Sequence, residues 1–402
     1  MEKELTLNEV YRASHALKSI IRHTDLIAAP TIRKGCDIFI KPENLQVTGS
    51  FKVRGASYMI SQLSDEEKQR GVIACSAGNH AQGVALAAAK CGIKATICLP
   101  AGAPISKVEA TRSYGAEICL VPGVYDDAYS RALQLKDEKG MTFVHPFDDP
   151  QVIAGQGTIA LEILNDLPDV ECIIVPIGGG GLISGVAYAA KQINPKIKVY
   201  GVQAEGAPSM YNCLAHTAIE RLDCVSTIAD GIAVKEPGKN TFECCKQWVD
   251  EVVTVSEDEV CAAILHLLEK HKMVSEGAGA VSVAAAMYGK VPIEGKRTVC
   301  IVSGGNVDVT FLSRIISRGL VKSGRECTLA LELVDKPGQL HDVTQVIAQL
   351  GANVLSVIHE RRANQVANVN SCILRVSMET RNHEHIRQII DALNAKGIRT
   401  IE

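Results

Sequence analysis

Aromatic residues are scarce in this chain of 402 residues, at 4%, with a single tryptophan. A surface that stacks nucleobases needs aromatic faces, and few are on offer here. A basic excess is missing too: 42 lysines and arginines stand against 45 aspartates and glutamates, a net charge of −3. Without a positive field there is little to draw a phosphate backbone, so nucleic acid is not expected as a partner. No apolar run approaches the ~20 residues that cross a bilayer, so neither is a membrane. The N-terminal stretch MEKELTLNEVYRASHALKS is charged and helix-like rather than signal-like, which leads to the expectation of a cytoplasmic protein. The 14 cysteines include no C-x-x-C pair. They read as reduced, mostly buried small hydrophobes, with no spacing that suggests zinc or a disulfide framework.

What remains is an ordinary globular composition, 47% hydrophobic and 22% charged. At about 150 residues per domain, the length suggests two or three domains. The first 35 residues look helical and then irregular. From 37 to 320, strand-like runs alternate with helical stretches. Strands are expected at 72–75, 94–99, 118–121, 172–177, 199–203 and 298–302. Helices are expected at 80–90, near 106–113, near 126–136 and from about 182. Repeated β-then-α order predicts an α/β fold of parallel sheets covered by helices. Cys172-Ile173-Ile174-Val175 is apolar on both faces, as a buried parallel strand should be. Ligands in such sheets gather beyond the carboxyl ends of strands, so the turns that follow them carry the chemistry.

One such stretch is KPENLQVTGSFKVRGA, residues 41–56, which follows the apolar run Ile38-Phe39-Ile40. Its Lys52 sits between Phe51 and Val53, with Gly49-Ser50 before and Arg54-Gly55 after. An apolar setting discourages the ammonium form and lowers a lysine's pKa. An amine freed in this way forms a Schiff base with a carbonyl. Most lysines are solvated surface charges, and Lys52 taken alone does not escape that reading.

Three later stretches change the odds. Gly178-Gly179-Gly180-Gly181-Leu182 joins a buried strand to a helix. Consecutive glycines let N–H groups converge, and the helix start adds its positive end; together they bind phosphate. A plain tight turn is the rival reading, but it would not require the backbone entropy of four glycines. The spacing is not G-x-G-x-x-G, and no Gly-Lys-Ser/Thr follows, so dinucleotide and P-loop readings are weak. Ser76-Ala77-Gly78-Asn79-His80 precedes an alanine-rich helix, whose free N–H groups favour an anion such as a substrate carboxylate. Ser76 and Asn79 also suit plain capping, and His80 alone reads as structural. Ser303-Gly304-Gly305-Asn306 ends a strand and alone reads as a turn.

Together and in this order, the four stretches resemble the motifs of pyridoxal-phosphate (PLP) enzymes of the tryptophan-synthase-β type, fold type II. Within that family SFKVRGA with SAGNHAQG is most similar to threonine dehydratases (threonine ammonia-lyases), over roughly residues 5–320. The resemblance implies a catalytic domain, 1–320, of two parallel-sheet subdomains, the smaller (about 53–147) inserted in the larger. It implies Lys52 as the catalytic residue, bound covalently to PLP. It places the PLP phosphate on Gly178, Gly179, Gly180, Gly181 and Leu182, and the ring oxygen on Asn79. Ser303 falls at the ring nitrogen, where a hydroxyl leaves that nitrogen largely neutral and suits β-elimination more than transamination. Phe51 and Gly231 fall where the ring is sandwiched. Glu276 falls where an acidic residue stands near the cofactor, a carboxylate at a helix start being the rival reading. Ser76, Ala77, Gly78, Asn79 and His80 fall on the substrate-binding loop. The implied reaction takes the α-proton of L-threonine or L-serine onto the Lys52 amine, expels the β-hydroxyl, and ends in a 2-oxo acid and ammonia.

Two departures are informative. The related serine racemases carry a serine at the position of Ala77, where this chain has a methyl group, so racemisation should be poor. Glu205 matches the first acidic residue of a divalent-cation site in those relatives. The following Gly206-Ala207-Pro208-Ser209-Met210-Tyr211 lacks the second, so no dedicated metal is expected.

Beyond a basic, glycine-containing link at 317–325, residues 328–334 alternate, with Leu329, Leu331 and Leu333 on one face. The turn Asp335-Lys336-Pro337-Gly338 follows. A helix shows Leu340, Val343, Ile347 and Leu350 at helical spacing. Strands are expected near 354–358 and 372–378, then a helix with Ile386, Ile389, Ile390 and Leu393 and Gly397 as its cap. The order β-α-β-β-α-β is ferredoxin-like, and with its Pro-Gly turn the segment 326–402 resembles an ACT domain. The resemblance implies pairing and an amino-acid or nucleotide effector; a bare dimerisation module is the alternative. A homo-oligomer, dimer or tetramer, is the family expectation. Two rival functions stay in view: another fold-type-II reaction (racemisation or β-replacement), and an amino-acid sensor that has lost catalysis. The intact Lys52 counts against the sensor.

Overall fold

The computed structural model describes residues 4–360 and 370–401; the first three residues of the charged N-terminal stretch lie outside them. The chain divides into two compact units, Met1–Val309 and Thr310–Glu402.

Along the first unit run strands β1 (Ile27–Ala28), β2 (Asp37–Pro42), β3 (Val72–Cys75), β4 (Ala95–Pro100), β5 (Glu117–Val121), β6 (Thr142–Phe143), β7 (Cys172–Pro176), β8 (Lys198–Ala204), β9 (Glu251–Val255) and β10 (Arg297–Val302). Among them lie helices α1 (Leu7–Leu17), α2 (Lys52–Ser61), α3 (Asp65–Arg70), α4 (Asn79–Lys90), α5 (Ile105–Ser113) and α6 (Tyr125–Lys139). These are followed by α7 (Pro150–Asp166), α8 (Gly181–Ile193), α9 (Ser209–His216), α10 (Lys239–Trp248), α11 (Glu257–His266) and α12 (Gly277–Met287). The strands form two sheets, ordered β1-β2-β10-β7-β8-β9 and β5-β4-β3-β6. Only β1 runs antiparallel to its neighbour; every other pairing in the two sheets is parallel. Every residue of β7 is buried, as the continuous apolar run requires.

The longest helix of this unit, α7, was not foreseen in the sequence. Gln151 to Ala160 are all buried, so no apolar stripe of period 3.6 stands out against a polar face. Its start did carry a signal: Asp149 caps the N–H groups of Gln151 and Val152 at 2.8 and 3.0 Å, with Pro150 in the first turn. Small residues let α7 approach its neighbours closely. A Cβ on Gly155 would meet the Gly55 Cα at 2.6 Å, and one on Gly185 would meet the Ile153 carbonyl at 2.3 Å.

The topology brings four loops to the carboxyl ends of their strands. They are the segment after β2 that holds Lys52, the Ser76 turn after β3, the glycine run after β7, and the Ser303 turn after β10. β2 and β10 are paired along their whole length, so the lysine loop and the serine turn emerge side by side.

The second unit opens with α13 (Val309–Lys322), whose first residue closes the unit before it, and continues as β11 (Glu326–Val334), α14 (Gln339–Gln349), β12 (Asn353–Glu360), β13 (Ser371–Glu379), α15 (His383–Ala395) and β14 (Arg399–Ile401). Its sheet is ordered β12-β13-β11-β14, and all three pairings are antiparallel. This is the β-α-β-β-α-β arrangement read from the sequence. Leu331 and Leu333 pack with Val343, Ile347, Ile389 and Leu393 in one core. Leu340, placed on that helix's apolar face in the sequence reading, is 48% exposed. Gly397 follows α15 at φ +77°, a left-handed position that suits glycine at a helix end.

Candidate active site

Lys52 is the first residue of α2, and its loop is fastened to the serine turn. The Phe51 N–H donates to the Ser303 carbonyl at 3.1 Å, and the Gly305 N–H donates to the Gly49 carbonyl at 2.9 Å. Ser50 and Gly304 form a β-bridge between these two contacts. The ammonium nitrogen of Lys52 donates to the Pro146 carbonyl at 2.7 Å. The Phe51 ring centroid is 5.3 Å from that nitrogen. Loss of solvent lowers the Lys52 pKa to about 8, although Glu276 opposes the shift. The amine is therefore available as a base or nucleophile at a pH where a surface lysine is fully charged.

Two residues on, the wholly buried Arg54 ties this helix start to its surroundings. Its guanidinium donates to both oxygens of Glu43 at 2.8 Å and to the two oxygens of Glu162 at 2.6 and 2.9 Å. Lys41 donates to Glu162 at 2.6 Å and to the Thr24 carbonyl at 2.5 Å. The sequence showed Arg54 beside the lysine but not its partners, which lie 11 and 108 residues away.

Asn79 opens α4, and no side chain caps that helix. Instead its amide donates to Glu276 Oε1 at 2.6 Å, and its oxygen accepts from Asn306 at 2.8 Å. Asn306 donates as well to the Thr48 carbonyl at 2.8 Å. Three of the four sequence motifs thus meet through side chains and the turns beside them. Glu276 does stand at the start of α12, but its carboxylate caps nothing there. Burial and the nearby charge of Asp230 push it up to about 8. That carboxyl lies close to the backbone: a Cβ on Gly304 would meet Oε1 at 2.4 Å. Gly231 lies against Glu276 and Ala278, where an added Cβ would meet the Ala278 Cβ at 3.1 Å. The Ser303 hydroxyl, also buried, donates to the Ala278 carbonyl at 3.3 Å.

The glycine run is sterically obligatory. A Cβ at Gly179 or Gly181 would run into Phe147, at 2.4 and 2.8 Å, and one at Gly178 would meet the Ile232 Cα at 3.1 Å. Gly180 has φ +98°, and its Cβ would meet Thr241 at 2.7 Å. Thr241 donates its hydroxyl to the Gly179 carbonyl at 2.6 Å, which fixes the loop from behind. Helix α8 starts at Gly181 with no side chain on its first N–H groups, and Leu182 follows, buried. A phosphate fits such an end. Gly180→Ala is accordingly expected to weaken PLP retention at least tenfold, measured by cofactor loss on dialysis, because the new Cβ is strained in that φ region and displaces Thr241.

Ser76, Ala77 and Gly78 form the turn into α4 and are partly accessible. The Ser76 hydroxyl accepts from the Gly78 N–H at 3.2 Å, and a Cβ on Gly78 would meet nothing within 4 Å. The Ala77 methyl packs on the apolar core beneath the turn. His80 points away from the turn: it is buried and its Nε2–H donates to the Val144 carbonyl at 2.8 Å, while burial and Lys52 lower its pKa to about 3. Glu205 is exposed and belongs to neither of the two His/Cys/Asp/Glu clusters found among the described residues.

A desolvated lysine, a glycine cradle closed to side chains and two uncapped helix starts form a site that suits a phosphorylated aldehyde. The profile of the family described as pyridoxal-phosphate dependent enzyme matches residues 17–304, and the chain belongs to that family. An ACT domain profile matches residues 323–402. Close relatives carry a more particular name. An L-threonine ammonia-lyase of Thermotoga maritima is 50% identical over 395 residues, 98% of each chain. One of Geobacter sulfurreducens is 45% identical over 96% of this chain and 97% of its own. Among solved structures, the processed form of threonine deaminase isoform 2 from Solanum lycopersicum is 37% identical with a TM-score of 0.73, covering 79% of this chain and 95% of that one. Maize serine racemase is 35% identical with a TM-score of 0.75, covering 79% and 99%.

Proposed function

We propose that this protein is a PLP-dependent L-threonine ammonia-lyase, converting L-threonine to 2-oxobutyrate and ammonia, with L-serine to pyruvate as a secondary activity. The observation that carries the reading is likeness over the whole chain: relatives of that name match both the catalytic unit and the ACT domain end to end. The serine racemase and threonine deaminase structures each cover 79% of the chain, and what speaks against racemisation is that Ala77 offers no hydroxyl for a second face of the substrate.

PLP, when bound, supplies the electron sink that makes the α-proton of an amino acid acidic. Lys52 would hold its aldehyde carbon, and Gly178, Gly179, Gly180, Gly181 and Leu182 its phosphate. Asn79 would hold its ring oxygen and Ser303 its ring nitrogen, with Phe51 and Gly231 at the ring faces and Glu276 beside Asn79. The turn of Ser76, Ala77, Gly78 and Asn79 receives the substrate carboxylate on the free N–H groups of the helix start. The buried His80 holds the base of that turn through Val144. The Lys52 amine, neutral above about pH 8, takes the α-proton. The β-hydroxyl then departs as water, and hydrolysis returns a 2-oxo acid and ammonia.

On this reading residues 1–320 catalyse and 326–402 regulate, an amino-acid or nucleotide effector acts through the ACT domain, and the chain works as a homo-oligomer in the cytoplasm. Purified protein supplied with L-threonine and L-serine separately is expected to form 2-oxobutyrate readily and pyruvate more slowly. Isoleucine or valine should alter the threonine rate. Response to isoleucine would place the enzyme in isoleucine biosynthesis; indifference would place it in threonine catabolism. No 2-oxo acid from either substrate, in protein that holds PLP, overturns the reading.

A further inference from the structure

A short segment between β6 and α7 touches each part of the candidate site in turn. The Val144 carbonyl accepts from His80 Nε2 at 2.8 Å, at the base of the Ser76 turn. The Pro146 carbonyl accepts from the Lys52 ammonium at 2.7 Å. The Phe147 ring fills the space beside Gly179, where an added Cβ would meet it at 2.4 Å. The Asp148 carboxylate accepts the N–H groups of Lys239 and Thr241, both at 3.1 Å, in the first turn of α10. The Thr241 hydroxyl donates in its turn to the Gly179 carbonyl. A segment with these duties needs a fixed shape, yet it runs outside helix and strand.

The remaining residue, His145, supplies that shape. Its Nδ1 accepts from two backbone N–H groups, that of Asp148 at 2.7 Å and that of Phe147 at 3.3 Å. A ring nitrogen that accepts carries no proton, so the imidazole is neutral with its hydrogen on Nε2. Burial lowers the pKa of His145, Asp148 and Asp149 oppose the shift, and Lys52 adds to it. The ring also meets that of Phe147 edge to face, with centroids 4.7 Å apart. We propose, resting on the PLP reading above, that His145 is a positioning residue for the cofactor: by accepting the Phe147 and Asp148 N–H groups, its imidazole fixes the Lys52 anchor relative to the phosphate cradle. It acts through the main chain of its neighbours. Without the acceptor, two N–H groups in a partly buried turn lose their partner and the turn relaxes. Phe147 then shifts beneath the glycines, and Asp148 no longer holds Thr241 behind Gly179.

Asparagine and leucine have nearly the same shape, but only asparagine presents an acceptor. Its Oδ1 reaches the N–H two residues on, as in an Asx turn. PLP loss is read as decay of the visible band while the full-length holoenzyme is dialysed. His145→Leu should lose PLP at least about tenfold faster than the parent, and His145→Asn should stay within about threefold of it. Both variants lack the ring, so lost packing affects them alike and the acceptor alone separates them. His145→Ala, should leucine prevent folding, is expected to behave as leucine does. Equal rates of loss with and without the acceptor, fast or slow, overturn the positioning role while the parent still holds PLP and forms 2-oxobutyrate. A parent that binds no PLP overturns the function proposed above, and this role with it.

Discussion

Lys52→Ala is expected to lower threonine turnover by at least about 10³-fold and to abolish the visible, borohydride-sensitive colour of bound PLP. The size follows from the two roles proposed for one amine, attachment of the cofactor and transfer of the α-proton. Both need the neutral form, and burial supplies it by lowering the pKa to about 8. Lys52→Arg tests that cause. Arginine keeps the positive charge and much of the reach, but its guanidinium stays protonated, so it should be as inactive as alanine. Neither change should unfold the protein, because the lysine's own hydrogen bond goes to a single backbone carbonyl, that of Pro146. Ammonia release in Lys52→Ala within tenfold of the parent would show that another group moves the proton.

The second large effect is on stability. Arg54→Ala is expected to destabilise the catalytic unit by about 3–5 kcal/mol, read as a lower urea midpoint. The arginine and Glu43 are completely buried, and Glu162 is partly buried, its side chain 15% exposed. Removing the guanidinium leaves Glu43 with the Thr24 hydroxyl, 2.6 Å away, in place of a charge partner. Lys41 still balances Glu162. A surface pair gives the comparison: Arg131→Ala removes a contact to Glu138 between side chains 40% and 57% exposed, and should cost under about 1 kcal/mol. Because Arg54 lies in the first turn of α2, its loss should also reduce turnover in protein that remains folded. Equal midpoints for the two variants would mean that the buried network adds nothing.

Much of the candidate site was legible because its chemistry is local. Gly178, Gly179, Gly180 and Gly181 announce a close backbone approach, and the structure shows Phe147, Thr241 and Ile232 occupying the space their side chains would need. The Ser76 turn and the Ser303 turn were each ambiguous alone. What sets them apart from plain caps and turns is that Asn79 spends its side chain on Glu276 and Asn306 rather than on the helix start. That distinction depends on contacts 197 and 227 residues apart. Helix α7 was hidden for a different reason. Periodicity reveals a helix only when one side meets water, and this one is covered nearly all round.

The sequence by itself determined the class of fold, the β-then-α alternation of much of the first unit, the ferredoxin-like tail and the lysine most suited to carry PLP. These follow from patterns of period 2 and 3.6 and from short turns, which are properties of neighbouring residues. Only the tertiary structure decided that Arg54 is locked between Glu43 and Glu162, and that burial pushes the Glu276 carboxyl up beside Asn79. Each depends on burial or on strand register. Desolvation and through-space charge act over a few ångströms, whatever the separation along the chain.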